Sequence, residues 1–255
     1  MSTFAVGDIH GNLPALRELL GLVHAALTPG DTVVFLGDYI DRGSGSKQCV
    51  DAILEFAAAH AGDTVCLGGN HEDWMMRSYR DHTAHSWLLG MKGYSTIGSY
   101  SSDAEIVLRA AASKAGTGLY TDDALQLPYD MFFESMPADH LRFFDTLRLT
   151  YDDPQGIYVH AGYDPRLPLA EQTRDTVLFG RNDGGFPAAY GGDRVVVYGH
   201  RNDAELDADG WPFPRIAPHT IGLDTSHHGV LSAVRLPDRR VFQSRRHLAH
   251  HGAWI

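Results

Sequence analysis

Thr32-Val33-Val34-Phe35-Leu36 is apolar without alternation, and it runs directly into Gly37-Asp38-Tyr39-Ile40-Asp41-Arg42-Gly43. A strand with one wet face alternates polar and apolar residues, whereas a strand covered on both faces does not. The run therefore predicts a central strand of an α/β sheet with helices packed on it. Working outward, residues 3–6 and 64–67 are further short apolar runs, and residues 13–27 and 46–60 carry helical patterns. The order is β-α-β-α-β, and right-handed crossovers make the three strands parallel. The first helix is announced by Asn12 and Pro14, and Leu16, Leu19, Leu20, Val23 and Leu27 give it one apolar stripe.

From residue 73 to about 135 the alternation stops. An aromatic, Met- and Ser-rich stretch precedes a plain helical pattern over 104–115, which predicts a helical cap inserted after the third strand. Trp74, Tyr79, Trp87 and Tyr94 are expected to pack within that cap, and the Ser- and Gly-rich residues 95–102 to form a mobile rim. Apolar strands resume at 157–159, 195–198, 220–223 and 230–236, and the last turns through Pro237-Asp238 into 240–244. The second half reads as mixed or antiparallel sheet. No internal repeat or linker divides the chain, so one domain over 1–255 is expected.

The 255 residues are 44% hydrophobic and 21% charged, which excludes disorder and fibres. A formal net charge of −11 would repel a phosphate backbone, so nucleic acid is not expected as a partner. No stretch approaches the ~18 apolar residues of a membrane span, and residues 1–6 do not read as a leader. Cys49 and Cys66 lie in separate elements with no CxxC. A cytoplasmic location is expected.

Five predicted strands end in loops carrying metal-ligand side chains: GDIHG at 7–11, GDYIDRG at 37–43, GNHE at 69–72, HAG at 160–162 and GH at 199–200. One such loop is ordinarily a turn. Five of them, at the strand ends where α/β sheets build their sites, predict a single metal centre. Asp8, His10, Asp38, Asn70, His160 and His200 supply carboxylate, imidazole and amide donors with no thiolate, a set suited to Mn, Fe, Zn or Co. Six donors exceed what one tetrahedral ion takes and fit two ions about 3.5–4 Å apart bridged by a carboxylate such as Asp38. Four positive charges against two aspartates would leave a surplus able to hold a phosphate dianion.

Taken together and in this order, these motifs resemble the phosphoprotein phosphatase family of binuclear metallophosphatases. HAGYDPRLPLAEQ at 160–172, VLFGR at 177–181 and GLDT at 222–225 are similar to its bacterial and phage serine/threonine branch. The resemblance implies the α/β calcineurin-like metallophosphoesterase fold, a mixed β-sandwich flanked by helices. It implies that Asp8 and His10 hold one ion, Asp38 bridges, and Asn70, His160 and His200 hold the other, with manganese the expected metal. It further implies that His71 protonates the leaving oxygen, Asp41 orients His71, and Arg42 and Arg181 grip the phosphoryl group. The expected reaction is hydrolysis of phosphoserine and phosphothreonine in phosphoproteins or phosphopeptides by direct attack of hydroxide held by the metals.

The resemblance leaves alternatives. The related symmetrical diadenosine tetraphosphate hydrolases usually lack the second aspartate of GDxxDRG, which is present here as Asp41, but nucleotide and phosphotyrosine substrates stay open. An inactive scaffold that recognises phosphoproteins would be expected to have lost Asp41, Arg42 or His71. Phe179 stands where the family commonly has Trp, Arg201 where bacterial relatives have Thr, and Ser226-His227-His228 where Gly-Ala is usual. Arg201 is expected to solvate a loop, His227 and His228 to cap a strand end, and His82, His85, His247, His250 and His251 to lie at the surface.

Overall fold

The computed structural model describes residues 1–247. The elements run β1 (Thr3–Val6), α1 (Leu13–Ala26), β2 (Thr32–Phe35), α2 (Ser46–Ala59) and β3 (Thr64–Cys66), as the apolar periods predict. A helical segment follows: α3 (Asn70–Arg80), α4 (Ser86–Gly90), α5 (Tyr94–Tyr100), α6 (Ser102–Ala115), α7 (Gly118–Thr121), α8 (Asp130–Phe133) and α9 (Ala138–Asp145). Then come β4 (Thr150–Asp153), β5 (Gly156–Val159), α10 (Arg174–Phe179), β6 (Val196–Tyr198), β7 (Glu205–Leu206), β8 (Pro212–Phe213), β9 (Arg215–Ile216), β10 (Thr220–Gly222), β11 (Ser232–Leu236) and β12 (Arg240–Gln243).

Two five-stranded sheets form, ordered β12-β11-β1-β2-β3 and β4-β5-β6-β10-β9. In the first, β1, β2 and β3 are parallel and the late hairpin β11–β12 adds antiparallel beside β1. In the second, β5, β6 and β10 are parallel between antiparallel edges, so the second half is mixed.

The missing alternation in 32–36 now has its cause. Val34 and Leu36 join Ala5 and Val65 against Tyr158, Val197 and Ile221 of the facing sheet. Val33 and Phe35 join Phe4 and Val6 against Leu16, Leu19, Cys49 and Ile53 of α1 and α2. Each central strand therefore lies between a sheet and a helical layer, the arrangement of a β-sandwich flanked by helices. Asn12 caps α1 by accepting from the Ala15 amide, with proline in the first turn. The helical segment shares the outer cluster: Trp87, Ile97, Leu108, Tyr129 and Phe132 are buried in it with residues of α1 and α2.

Residues 95–102 differ from the expected mobile rim. Most of them lie in α5, where Thr96 and Ile97 are fully buried. The small hydroxyl residues are there for close approach: Thr96 Oγ1 lies 3.1 Å from Ser46 Oγ, and Ser99 Oγ accepts from the Lys47 amide at 3.1 Å, both against the start of α2.

Candidate active site

Every candidate ligand leaves the carboxyl end of a strand: Asp8 and His10 after β1, Asp38 after β2, Asn70 after β3, His160 after β5 and His200 after β6. The loop after β10 adds buried Asp224, the aspartate of GLDT, whose motif alone marks no role for it. The turns are tight. His10, Asp38, Asp41, Arg42 and His200 have φ of 48°, 53°, 68°, 64° and 61°, in the left-handed region that residues with a Cβ seldom occupy. Such strain costs about 1–3 kcal/mol per residue and persists only where the surroundings impose it. Two glycines make the space. A Cβ on Gly69 would lie 2.0 Å from Asp38 Oδ1, and one on Gly199 2.1 Å from Asp8 Oδ1.

The structure brings the six predicted ligands into one cluster, buried except for half-buried His200. Donor atoms of His10, Asp38 and His71 lie within 4.8 Å of one another, as do those of Asp38, His160 and His200, and Asp38 belongs to both groups. The imidazoles are oriented from behind. His10 Nδ1 faces the Ile40 carbonyl at 3.1 Å and His160 Nδ1 the Leu36 carbonyl at 2.9 Å. A carbonyl only accepts, so both Nδ1 atoms carry the proton and both Nε2 lone pairs point into the cluster. There His10 Nε2 has no hydrogen-bond partner and lies 3.7 Å from Asp8 and 3.5 Å from Asp38 carboxylate oxygens. His160 Nε2 lies 3.0 Å from Asn70 Oδ1 and 3.4 Å from Asp38 Oδ1. Acceptors facing acceptors in a buried site are what cations reconcile, so the donor set fits divalent metal.

The charges agree. Burial pushes the Asp38 carboxyl up, but the imidazoles of His160, His71, His10 and His200 outweigh it and hold that carboxyl far below the ordinary range. Burial, with Asp224 and Asp38 nearby, pushes Asp8 up, and burial together with His160 takes His200 down to about 4.

His71 is held differently from the other histidines. Its Nδ1 lies 2.7 Å from Asp41 Oδ2, and its Nε2 is 3.8 Å from Asp38 Oδ2. Burial lowers its proton affinity, but Asp38 and Asp41 more than compensate and raise it above the ordinary imidazole value. Asp41 is itself fixed: Trp87 Nε1 donates to it at 2.9 Å and Thr96 Oγ1 at 2.6 Å. Neither residue was foreseen in this role. Trp87 was read as packing, which its complete burial supports, and no local pattern marks its indole as a hydrogen-bond donor to the site.

Arg42 follows Asp41, and its Nη1 meets His227 Nε2 at 2.9 Å, so His227 braces an arginine rather than capping a strand. Arg201 also departs from expectation. It pairs with Asp183 and donates from Nε to the Ala161 carbonyl at 2.8 Å, tying the HAG loop to the segment after α10. Arg181 is exposed, with its guanidinium 5.0 Å from the Phe179 ring centre. His85 is buried between the Tyr129 hydroxyl and the Leu125 carbonyl rather than at the surface, while His250 and His251 lie outside the described residues.

Glu72, the last residue of GNHE, ties that loop to the GDxxDRG loop. Its Oε2 accepts from the Asp38 and Gly69 amides, both at 2.9 Å, and its Oε1 from the Tyr39 and Ile40 amides at 2.8 and 3.3 Å. Glu72→Gln places an amide N–H₂ where an oxygen accepted N–H groups. It is expected to cost about 3 kcal/mol, the penalty of stranding a buried donor pair. Thermal unfolding of the purified variant measures this, and an unchanged midpoint would refute the clamp.

The profile of calcineurin-like phosphoesterases matches residues 1–213. The chain belongs to that family. That family binds divalent metals, and the His/Asp clusters described above could hold them. Among family relatives, the asymmetrical bis(5'-nucleosyl)-tetraphosphatase PrpE of Anoxybacillus flavithermus is 27% identical, covering 91% of this chain and 89% of that protein. A zinc-dependent endopolyphosphatase of Saccharomyces cerevisiae is 34% identical over 83 residues, where the chain spans about a quarter (24%) of the yeast protein. A solved structure provisionally assigned as a diadenosine tetraphosphatase superposes with a TM-score of 0.59 at 22% identity, covering 95% of this chain and 92% of that one, and shares the fold. No helix among the described residues is long and apolar enough to cross a membrane.

Proposed function

We propose that this metallophosphoesterase is a phosphomonoesterase acting on phosphoserine and phosphothreonine in proteins. The observation that carries the reading is the buried His71–Asp41 pair, 2.7 Å apart at the edge of the ligand cluster. A proton donor is needed where the departing oxygen is an alkoxide, as from serine or threonine, and is nearly superfluous for good leaving groups. Asp8, His10, Asp38, Asn70, His160 and His200 would hold two divalent ions, with manganese proposed. When bound, such ions supply positive charge that polarises the phosphoryl group and acidifies water.

The chain's own residues supply the rest. Asp41 accepts from Nδ1 of His71 and so leaves Nε2 facing the reacting centre, the arrangement that lets the imidazolium hand over its proton. Trp87 and Thr96 keep Asp41 from turning away. Arg42 presents a permanently charged fork to the phosphoryl oxygens, and we assign Arg181 the same task on motif grounds. The oxygen of water bonds to phosphorus as the ester P–O bond breaks. The electron pair of that bond stays on the seryl or threonyl oxygen, which takes the proton from His71, and the proton that the water sheds restores the imidazolium for the next turnover.

The near full-length likeness to PrpE favours a second reading, cleavage of nucleoside polyphosphates. The purified chain, loaded with Mn, Fe, Zn or Co in turn, is to be assayed against phosphoserine, phosphothreonine and phosphotyrosine peptides and diadenosine tetraphosphate. The highest kcat/KM is expected for phosphoserine and phosphothreonine peptides. Activity confined to diadenosine tetraphosphate would install the second reading.

A further inference from the structure

Ala161 directly follows His160 and Arg201 directly follows His200, so a contact between them joins two histidines proposed to hold the same ion. The Arg201 guanidinium makes that contact, donating from Nε to the Ala161 carbonyl at 2.8 Å, while its Nη2 donates to Asp183 Oδ2. Asp183 is fixed in turn, because its other oxygen accepts from the Gly185 amide at 3.1 Å. The guanidinium also lies 5.5 Å from the ring centre of buried Phe186. The loops after β5 and β6 and the segment after α10 therefore meet on one planar cation.

The backbone is arranged to admit that side chain. Gly180 ends α10 in the left-handed region, with φ of 64°, and a Cβ there would lie 2.6 Å from Arg201 Nη2. Arg201 itself stands between His200 and Asn202, whose φ values of 61° and 45° are both left-handed. Backbone of that kind persists where its surroundings impose it, and an anchored side chain between two such residues does so. The Gly199 amide donates to the His160 carbonyl at 2.8 Å, so the two histidine loops are tied both before His200 and after it. Asp183 also offsets the guanidinium charge, which would otherwise repel a divalent ion held by the neighbouring histidines.

We infer that Arg201 is a positioning residue for the ion assigned to Asn70, His160 and His200: it presets the spacing of the two imidazoles, so that little ordering remains when the ion binds. The inference rests on the two-ion reading above. Threonine, which bacterial relatives have at this position, carries no guanidinium, so the bridge lies outside the shared motif.

The test measures metal binding rather than turnover. The metal-free chain is titrated with manganese in equilibrium dialysis, which gives two stepwise constants. Arg201→Gln should hold one ion as the parent does and the other about 10–100-fold more weakly, the usual effect of changing a residue behind a ligand. Asp183→Asn should weaken the same step, and the double variant should be no weaker than Arg201→Gln alone, because the two residues act as one unit. Arg201→Lys keeps the charge but not the fork, and should recover the affinity only in part. The inference is overturned if Arg201→Gln binds both ions as the parent does, if it weakens both steps equally, as a general loosening would, or if the double variant shows the product of the two single effects. Should Arg201→Gln fail to fold, an unchanged constant in Asp183→Asn overturns it equally. A parent that takes up a single ion would overturn the two-ion reading, and this inference with it.

Discussion

His71→Asn is expected to lower turnover of a phosphoserine peptide by about 10²–10⁴, the range that proton-transfer catalysis contributes, while a nitrophenyl ester loses much less. The difference follows from the leaving oxygen: nitrophenolate departs without a proton, whereas a serine alkoxide does not. His71 Nδ1 is directed to Asp41 and its proton affinity is raised, so the parent holds its proton until pH climbs past the ordinary imidazole range. Turnover of the phosphoserine peptide should therefore show an alkaline limb that is absent in His71→Asn. Asp41→Asn should give the same pattern more weakly, because the histidine stays but is poorly oriented. The rival assignment is explicit in the structure, where His71 lies within ligand distance of His10 and Asp38. Elemental analysis decides between them: metal content unchanged in His71→Asn supports the donor, and loss of metal makes His71 a ligand.

Asp38→Asn should be more damaging still. Asp38 is the one residue in both donor groups, and four imidazoles surround its carboxylate, so its removal would touch both of the proposed ions together. Changes in residues behind a ligand already cost about 10–100-fold in metal affinity or activity, and loss of a shared ligand should exceed that. The variant is expected to retain fewer than two ions per chain after washing and to lose nearly all activity towards every phosphate substrate. Two ions per chain with near-normal activity would refute the bridge.

The clustering of the six candidate ligands was legible in the sequence because each sits in a short motif at a strand end, and the parallel topology that gathers those ends follows from the uninterrupted apolar run at 32–36. The residues that brace the rest of the site were not. Trp87 and Thr96 reach Asp41 from the helical segment, 46 and 55 positions away, and no spacing rule encodes that meeting. The same holds for Arg201 with Asp183 and for His227 with Arg42, polar side chains whose partners are set by tertiary approach. The serines of 95–102 misled for a more local reason: their small size allows close helix packing as readily as it allows a loop. Edge strands of two residues, such as β7 and β9, are too short to carry a period.

The place of β11 beside β1 has a consequence for synthesis of the chain. On the ribosome, β1 is made long before the strand that hydrogen-bonds along its outer edge, Ser232–Leu236. All five motif loops, and the whole stretch that matches the family profile, emerge before that edge is closed. A nascent chain at that stage exposes the unpaired backbone of an apolar strand, with Phe4 still lacking Phe242. Such an edge invites pairing with other chains. Completion of the first sheet consequently waits on the slow closure of a loop that spans most of the described residues.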